Sequence, residues 1–564
     1  MRNWRINLIF LFFILFSATI IGRLIYIQII KGDLYKALAQ GQQNFFTSNQ
    51  GERGKIFLQD KNGNFYPVAV NKNWEMVYAV PKEIKEKEKT AEILSRVLDL
   101  ESNSILGKIN NEDSYFIPLK NKLSNKETEQ LKSLEIPGIY TKEEVLRYYP
   151  QERLASHIIG FLGGDGTGQY GIEGYYEDIL RGKEEAVAKE KGLKGFLITD
   201  LEKLLAQNGS DLVLSIDYNI QFVAEKLLED YKKQLEFEEG QIIVIDPSSG
   251  KILALVQAPN FDPNNYSQEP NLEIFQNGAV QKIYEPGSAF KPFTMAAALD
   301  KEKVTPQTVY TDEGVIKIGG YKIYNYDQRT WGERTMTEVL EKSINTGAVF
   351  AERQMGDEIF LDYLKNFGFF EQTGIDLQGE VFSENKEFKK GYEVNFATAS
   401  FGQGIEITPI QMVRAFCALS NGGKLVKPYV VERVISGDGK IEEKKSEIEK
   451  QVISSRTAST ITAMLVSVVE KGTAKRAKIP GYYIAGKTGT AQVAFPALGI
   501  QKSGYSEKTI QTFVGYAPAF NPKFLILVKL NNPNVRTAEI SAVLVFHDLA
   551  KYIIDYMQIP PDYE

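Results

Sequence analysis

The sequence predicts an α+β protein in which one antiparallel sheet, assembled from strands distant in the chain, is covered by helices. A smaller α+β region and an N-terminal transmembrane helix precede it. Three observations carry this prediction. Paired strand patterns stand at both ends of residues 208–564, with helical runs between them. Residues 31–207 mix short strand and helix patterns with many turn signals. The stretch from Ile6 to Gly22 carries no charge. At 564 residues the chain exceeds what a single core supports, and 43 % hydrophobic with 24 % charged residues is the balance of folded domains.

After Arg23 the apolar character resumes through Leu24, Ile25, Tyr26, Ile27, Ile29 and Ile30. A spanning helix needs about 20 apolar residues, which residues 1–30 supply if Arg23 snorkels to the interface. Arg2 and Arg5 ahead of an apolar core also fit a cleaved secretory signal. No clear small-x-small site precedes Arg23 and the helical pattern runs on unbroken, which favours an uncleaved anchor. Arg2 and Arg5 on one side are matched by Arg23, Lys31 and Lys36 on the other, so charge leaves the orientation open. The short tail favours the large region as the part that crosses.

In residues 31–207, Asp60-Lys61-Asn62-Gly63 ends in a hairpin signal between Ile56-Phe57-Leu58 and Phe65-Tyr66-Pro67-Val68. Ser124 and Glu127 have capping-box spacing and open a short polar helix toward Leu134. A boundary is expected near 205–210, after which Leu212–Ile216 reads as an alternating strand and Tyr218–Leu235 as an amphipathic helix. Ile242–Ile245 and Ile252–Val256 flank a turn, Asp246-Pro247-Ser248-Ser249-Gly250. Helical runs follow at 335–368 and 455–472. Thr512–Ala517 and Phe524–Val528 form a second strand pair, and a helix over about Ala542–Met557 closes the pattern.

Composition removes several function classes. Net charge is −6 with no basic stripe bearing interleaved aromatics, so nucleic acid is not an expected partner. The single cysteine, Cys417, lies in an apolar helical stretch and reads as a core residue that neither requires nor excludes an oxidising compartment. The two histidines, His157 and His547, stand apart from any acidic or cysteine cluster; they read as structural, and neither a metal nor another cofactor is expected. Chemistry must therefore come from elsewhere.

Three motifs supply it. Ser288-Ala289-Phe290-Lys291 follows Glu285-Pro286-Gly287 and leads into a helix whose Pro292 falls in the first turn, where it is tolerated. Ser288 would sit at the helix N-terminus, where free N–H groups favour developing negative charge. Lys291 falls one turn on along the same face, within reach of the Ser288 hydroxyl. As a base it must be neutral, which burial or a second cation promotes; Lys487 is a candidate for that cation. Ser248-Ser249-Gly250-Lys251 has the same spacing but sits in a hairpin turn with no helix behind it, so it is rejected. Ser343-Ile344-Asn345 stands at a helix–helix junction, from which Ser343 could relay a proton and Asn345 could bind an amide. Lys487-Thr488-Gly489-Thr490 follows the strand-like Tyr482–Gly486. Gly489 fits a strand along which a substrate peptide lies, and the N–H of Thr490 could join that of Ser288 as an oxyanion hole.

With these motifs the chain resembles the penicillin-binding transpeptidases, within them the class B, membrane-anchored, division-type enzymes. Gly374-Ile375-Asp376-Leu377 with Gly379-Glu380, Ser400-Phe401-Gly402-Gln403-Gly404 with Thr408-Pro409 and Gln411, and Asn421-Gly422-Gly423 look like that family's catalytic domain. Arg53-Gly54-Lys55-Ile56, Arg147-Tyr148-Tyr149-Pro150, His157–Gly160 and Gly171–Gly174 look like its non-catalytic pedestal. The resemblance implies a transmembrane anchor over 1–30, a dimerisation-type pedestal over 31–207 and a transpeptidase domain with a helical subdomain over 208–564. It implies that Ser288 attacks the carbonyl between the two D-alanines of a peptidoglycan stem peptide and that Lys291 takes the serine proton. Ser343 and Lys487 would serve the leaving and entering amines, and Asn345 would hold the substrate or the lysines. Lys487, Thr488 and Thr490, with Gly489 between them, would position the terminal carboxylate. β-Lactams would acylate the same serine. A separate membrane glycan polymerase and other division proteins are implied partners, and the catalytic domain would lie outside the cytoplasmic (inner) membrane.

Related chemistries stay open at this stage. A class A β-lactamase needs a Glu that activates water, and no Glu-x-x-Leu-Asn stands between Asn345 and Lys487; Glu380-Val381-Phe382-Ser383 does not fit. A D,D-carboxypeptidase, an elongation-type transpeptidase and a catalytically idle division scaffold share the fold; the intact Ser288, Lys291 and Lys487 speak against the last.

Overall fold

The computed structural model describes residues 4–25, 51–112, 114–182 and 208–564. Helix α1 spans Trp4–Ile25, and its described side chains, Trp4 and residues 11–23, are exposed. Among the described residues no helix is long and apolar enough to cross a membrane. The span expected over 1–30 has no full counterpart there, because residues 26–30 and most side chains before Leu11 lie outside them. Residues 26–50 and 183–207, with the start of the expected boundary at 205–210, also lie outside.

By internal packing the chain forms two units. The smaller includes residues 71–147. Within it the strand segment 75–79 pairs antiparallel with Ile117–Leu123, and helices Lys87–Leu98, Ser102–Ile109 and Asn125–Leu134 pack around Val77, Leu94, Leu98, Ile105 and Leu119. The capping box forms as its spacing predicts: Ser124 and Glu127 satisfy each other's backbone N–H.

The larger unit takes in 54–70, 148–181 and 209–564. The first two of these segments are assigned by sequence to the pedestal. They pack here because Ile56, Leu58, Ile158, Phe161 and Ile172 share the apolar core of the catalytic region. Residues 56–59 and 65–69 form the expected hairpin. The strand Asp211–Asp217 is buried on both faces rather than alternating, and it runs parallel to Ile56–Gln59 on one edge and antiparallel to Val431–Ile435 on the other. Its Asp217 carboxylate caps helix α2, Tyr218–Leu235, by accepting from the N–H groups of Asn219 and Ile220.

The central sheet is built from β1 (Glu239–Ile245), β2 (Ile252–Ala258), β3 (Ala485–Ala494), β4 (Tyr505–Ala517) and β5 (Phe524–Asn531). Its order is β3-β4-β5-β1-β2, all neighbours antiparallel, so β3 is an edge strand. Helix α2 and the terminal helix Ala542–Met557 lie against one side. Helices Pro409–Ser420 and Ser455–Lys471 pack against it as well, with Lys291–Asp300 packed on the latter. Covered on both faces, β1 and β5 read as continuous apolar runs (Ile242–Ile245, Phe524–Val528) rather than alternating ones. Cys417 is wholly buried in this core, where burial pushes its thiol pKa up.

Candidate active site

The serine turn forms as the sequence predicts. Gly287–Phe290 is a 3₁₀ turn that runs directly into helix α3, Lys291–Asp300, so Ser288 precedes the helix and Lys291 opens it. Lys291 is 1 % exposed, and its Nζ lies 3.0 Å from Ser288 Oγ. It donates to the Ser343 carbonyl at 2.6 Å and to Asn345 Oδ1 at 2.8 Å, with Ser343 Oγ at 3.2 Å. A neutral amine has two N–H donors, and the two shortest contacts occupy both. The lone pair is then left for the serine hydroxyl proton.

Ser343 lies between α4 (Met336–Glu341) and α5 (Asn345–Met355) with φ +57. A left-handed conformation at a non-glycine residue costs roughly 1–3 kcal/mol. Here the residue brings both its carbonyl and its hydroxyl to Lys291. Ser343 Oγ also accepts from Lys487 Nζ at 3.0 Å, so one hydroxyl joins the two amines. Asn345 uses its other end as well: Nδ2 donates to the Tyr324 carbonyl at 2.9 Å. In this state the amide holds the lysine and the loop instead of facing an open cleft.

Lys487 stands inside β3, which begins at Ala485; the expected strand over 482–486 starts later and continues through the motif. Its Nζ contacts the Thr488 carbonyl at 3.1 Å besides Ser343. Burial brings its pKa down to about 7. Lys291 is held well below the usual lysine range, first by burial and then by the charge of Lys487. Burial lowers the pKa of both amines, and because they share Ser343 Oγ they titrate as a pair. Thr488 Oγ1 meets Thr473 Oγ1 at 3.0 Å, and Thr490 Oγ1 accepts from the Ala538 N–H at 3.3 Å.

The close approach expected at Gly489 is made by the serine turn itself. A Cβ there would stand 2.7 Å from the Pro286 carbonyl oxygen and 3.0 Å from the Ala289 Cβ. Gly402 supports the turn from the other side. Its carbonyl accepts from the Gly287 N–H at 2.9 Å, its φ is +82, and a Cβ would lie 2.1 Å from the Gly287 oxygen. Gly402→Ala is therefore expected to destabilise the fold by about 3 kcal/mol or more and to slow acylation of Ser288, measured by denaturant unfolding and penicillin labelling. Unchanged stability would show that the turn relaxes freely.

A buried cluster behind Asn345 escapes sequence reasoning. Asn325 Oδ1 accepts from the N–H groups of Asn345 (3.0 Å) and Thr346 (3.1 Å), while its Nδ2 donates to Asp312. Asp312 in turn accepts from Thr346 Oγ1 at 2.6 Å and from the Trp331 N–H at 2.7 Å. Asn, Asp and Thr are common turn residues, and nothing in their spacing announces the network. Among the residues quoted from the sequence, Asp376 is structural: it accepts from the N–H groups of Val430 and Val431. Thr408 and Gln411 form a capping box. His157 is buried against the Ile274 carbonyl, and burial holds its pKa down at about 4, so it stays neutral. Ser248 bonds to Asp246 within its turn, remote in role from any helix N-terminus. Among the described residues no group of acidic, histidine or cysteine side chains could hold a metal ion.

The chain is similar to known proteins in both of its regions. The penicillin binding protein transpeptidase domain matches residues 240–551, and the penicillin-binding protein dimerisation domain matches residues 48–214. Stage V sporulation protein D of Bacillus subtilis is 33 % identical over 94 % of this chain and 82 % of its own length. The peptidoglycan D,D-transpeptidase FtsI of Escherichia coli is 28 % identical over 99 % of this chain and 93 % of its own. Penicillin binding protein 3 from Mycobacterium tuberculosis, solved in complexes with aztreonam and with ampicillin, superposes with TM-score 0.69 at 25 % identity, over 91 % of this chain and 97 % of that one.

Proposed function

Because this chain belongs to the penicillin-binding transpeptidase family, with both its dimerisation and its transpeptidase domains, we propose the following course for its reaction. The chain is a division-type peptidoglycan D,D-transpeptidase working through a serine acyl-enzyme. Ser288 Oγ attacks the carbonyl between the two D-alanines of a stem peptide while its proton passes to Lys291 Nζ. The N–H groups of Ser288 and Thr490 hold the oxyanion; Thr490 lies on an edge strand, which leaves one side of β3 without a strand partner. The C–N bond breaks, and Ser343 hands a proton from the lysines to the departing D-alanine amine. A neighbouring stem's amine then attacks the ester, gives its proton back along the same path, and leaves a new amide with Ser288 restored. Lys487, Thr488 and Thr490 hold the terminal carboxylate, and Asn345 fixes Lys291.

The observation that carries this reading is the placement of one buried amine against Ser288 Oγ, the Ser343 carbonyl and Asn345 Oδ1. Helix α1, apolar and exposed over residues 11–16, would anchor the chain in the cell (inner) membrane with the catalytic domain on the extracytoplasmic side, where a membrane glycan polymerase supplies the strands. Incubation with a penicillin followed by peptide mapping is expected to put one adduct on the peptide containing Ser288. An adduct on another residue, or none on the folded protein, would overturn the assignment.

A further inference from the structure

The loop that carries Asn325 reaches the segment that carries the Thr490 contact. Asp327 Oδ1 lies 3.7 Å from Arg536 Nη2, and Asp327 Oδ2 lies 3.6 Å from Arg329 Nη2. On one side, Asn325 holds the backbone of Asn345, and Tyr324 holds its side chain. On the other, Ala538 binds Thr490 Oγ1, and the Val535 carbonyl accepts from Gln511, whose backbone pairs with Thr490 in the sheet. The ion pair thus ties the wall bearing Asn345 to the wall bearing Thr490.

This pair is easily exchanged. Both contacts exceed hydrogen-bond length, and the side chains are 82 % (Arg536), 59 % (Arg329) and 41 % (Asp327) exposed. Exposed pairs of this kind contribute little. Two guanidiniums share one carboxylate, so the trio carries a net charge of +1 beside the strand that would bind the substrate's terminal carboxylate. Asp327 and Gln328 both hold left-handed φ, 53 and 55, a conformation that Asp tolerates better than most residues.

We propose that Arg536 is a specificity-determining residue that receives a second carboxylate on the ligand, one additional to the carboxylate bound by Lys487, Thr488 and Thr490. The incoming anion takes the place of Asp327 on the guanidinium, and Asp327 falls back on Arg329. The ligand class is therefore acyl donors with a free carboxylate on the acyl side of the scissile bond. This rests on the acyl-enzyme reading above.

Carbenicillin and benzylpenicillin differ by one such carboxylate, so the ratio of their second-order acylation rates isolates the effect. Arg536→Ala is expected to lower the carbenicillin-to-benzylpenicillin ratio roughly tenfold, Arg536→Lys to lower it less, and Asp327→Asn to raise it. Asn tolerates the left-handed conformation at 327, so that variant keeps the loop. Added salt should shrink the effect of Arg536→Ala. A ratio that Arg536→Ala leaves unmoved, including a case where both rates fall together, would overturn the subsite while leaving the serine chemistry standing. Failure of carbenicillin alone to acylate the parent protein would overturn the subsite, and failure of both penicillins would overturn the acyl-enzyme reading as well.

Discussion

Replacing Lys291 with alanine is expected to cut β-lactam acylation at neutral pH roughly a thousandfold or more, within the range that a positioned general base supplies. Ser288→Ala, which removes the nucleophile outright, is expected to leave no adduct at all and so defines the floor. Geometry already makes Lys291 the base. Its two shortest contacts are to acceptors, the Ser343 carbonyl and Asn345 Oδ1, and both are satisfied by N–H donors. Burial and the neighbouring charge of Lys487 hold its pKa well below the lysine range, which favours the neutral amine that a base requires. Intact-protein mass spectrometry over time measures the rate. Circular dichroism checks the fold, which should survive, since removing a buried amine also removes its desolvation penalty. A Lys291→Ala variant that acylates at the parental rate would exclude this lysine as the base.

Much of this site was legible in the sequence because its parts are local. A serine and a lysine three residues apart at a helix start fall on one face, and Ser288, in the 3₁₀ turn, meets Lys291 there. The helices Tyr218–Leu235 and Ala542–Met557 carry apolar periodicity and end where their patterns end. Apolar runs marked Ile242–Ile245 and Phe524–Val528 as strands, though not as strands covered on both faces. What stayed hidden depends on contacts between distant segments. The left-handed turn at Ser343 goes with its carbonyl's bond to Lys291, 52 positions away. Gly402 stands in a family motif, but what it does there shows only once the Gly287 carbonyl is seen against it. Asp312, Asn325 and Thr346 look like loop residues until they close on one another behind Asn345. Residues 148–181 carry motifs of the pedestal, yet their apolar side chains join the core of the catalytic unit. Which core a buried segment enters is decided by tertiary packing, not by its own pattern.

Replacing Lys487 with methionine is expected to lower acylation at pH 7 by roughly a hundredfold and, more tellingly, to change the shape of its pH dependence. In the parent, Lys291 must be neutral and Lys487 charged, so the rate should rise with pH as Lys291 loses its proton and fall as Lys487 loses its own, near about 7. The two amines share Ser343 Oγ, so the limbs belong to the pair. Methionine keeps the buried chain but takes away the charge that depresses Lys291. The Lys291 pKa then climbs, its neutral fraction at pH 7 falls, the acid limb moves to higher pH and the alkaline limb disappears. Part of the lost rate should therefore return as the pH is raised, with burial still holding Lys291 below the ordinary lysine pKa. Stability offers an independent reading. The folded pKa of Lys487 is about 7 against 10.5 for an ordinary lysine, so between these values the unfolded chain binds the extra proton and parental stability rises with pH. The methionine variant should lose that slope. A pH–rate profile merely scaled down, with both limbs in place, would mean that Lys487 acts only by holding the substrate and does not set the protonation of Lys291.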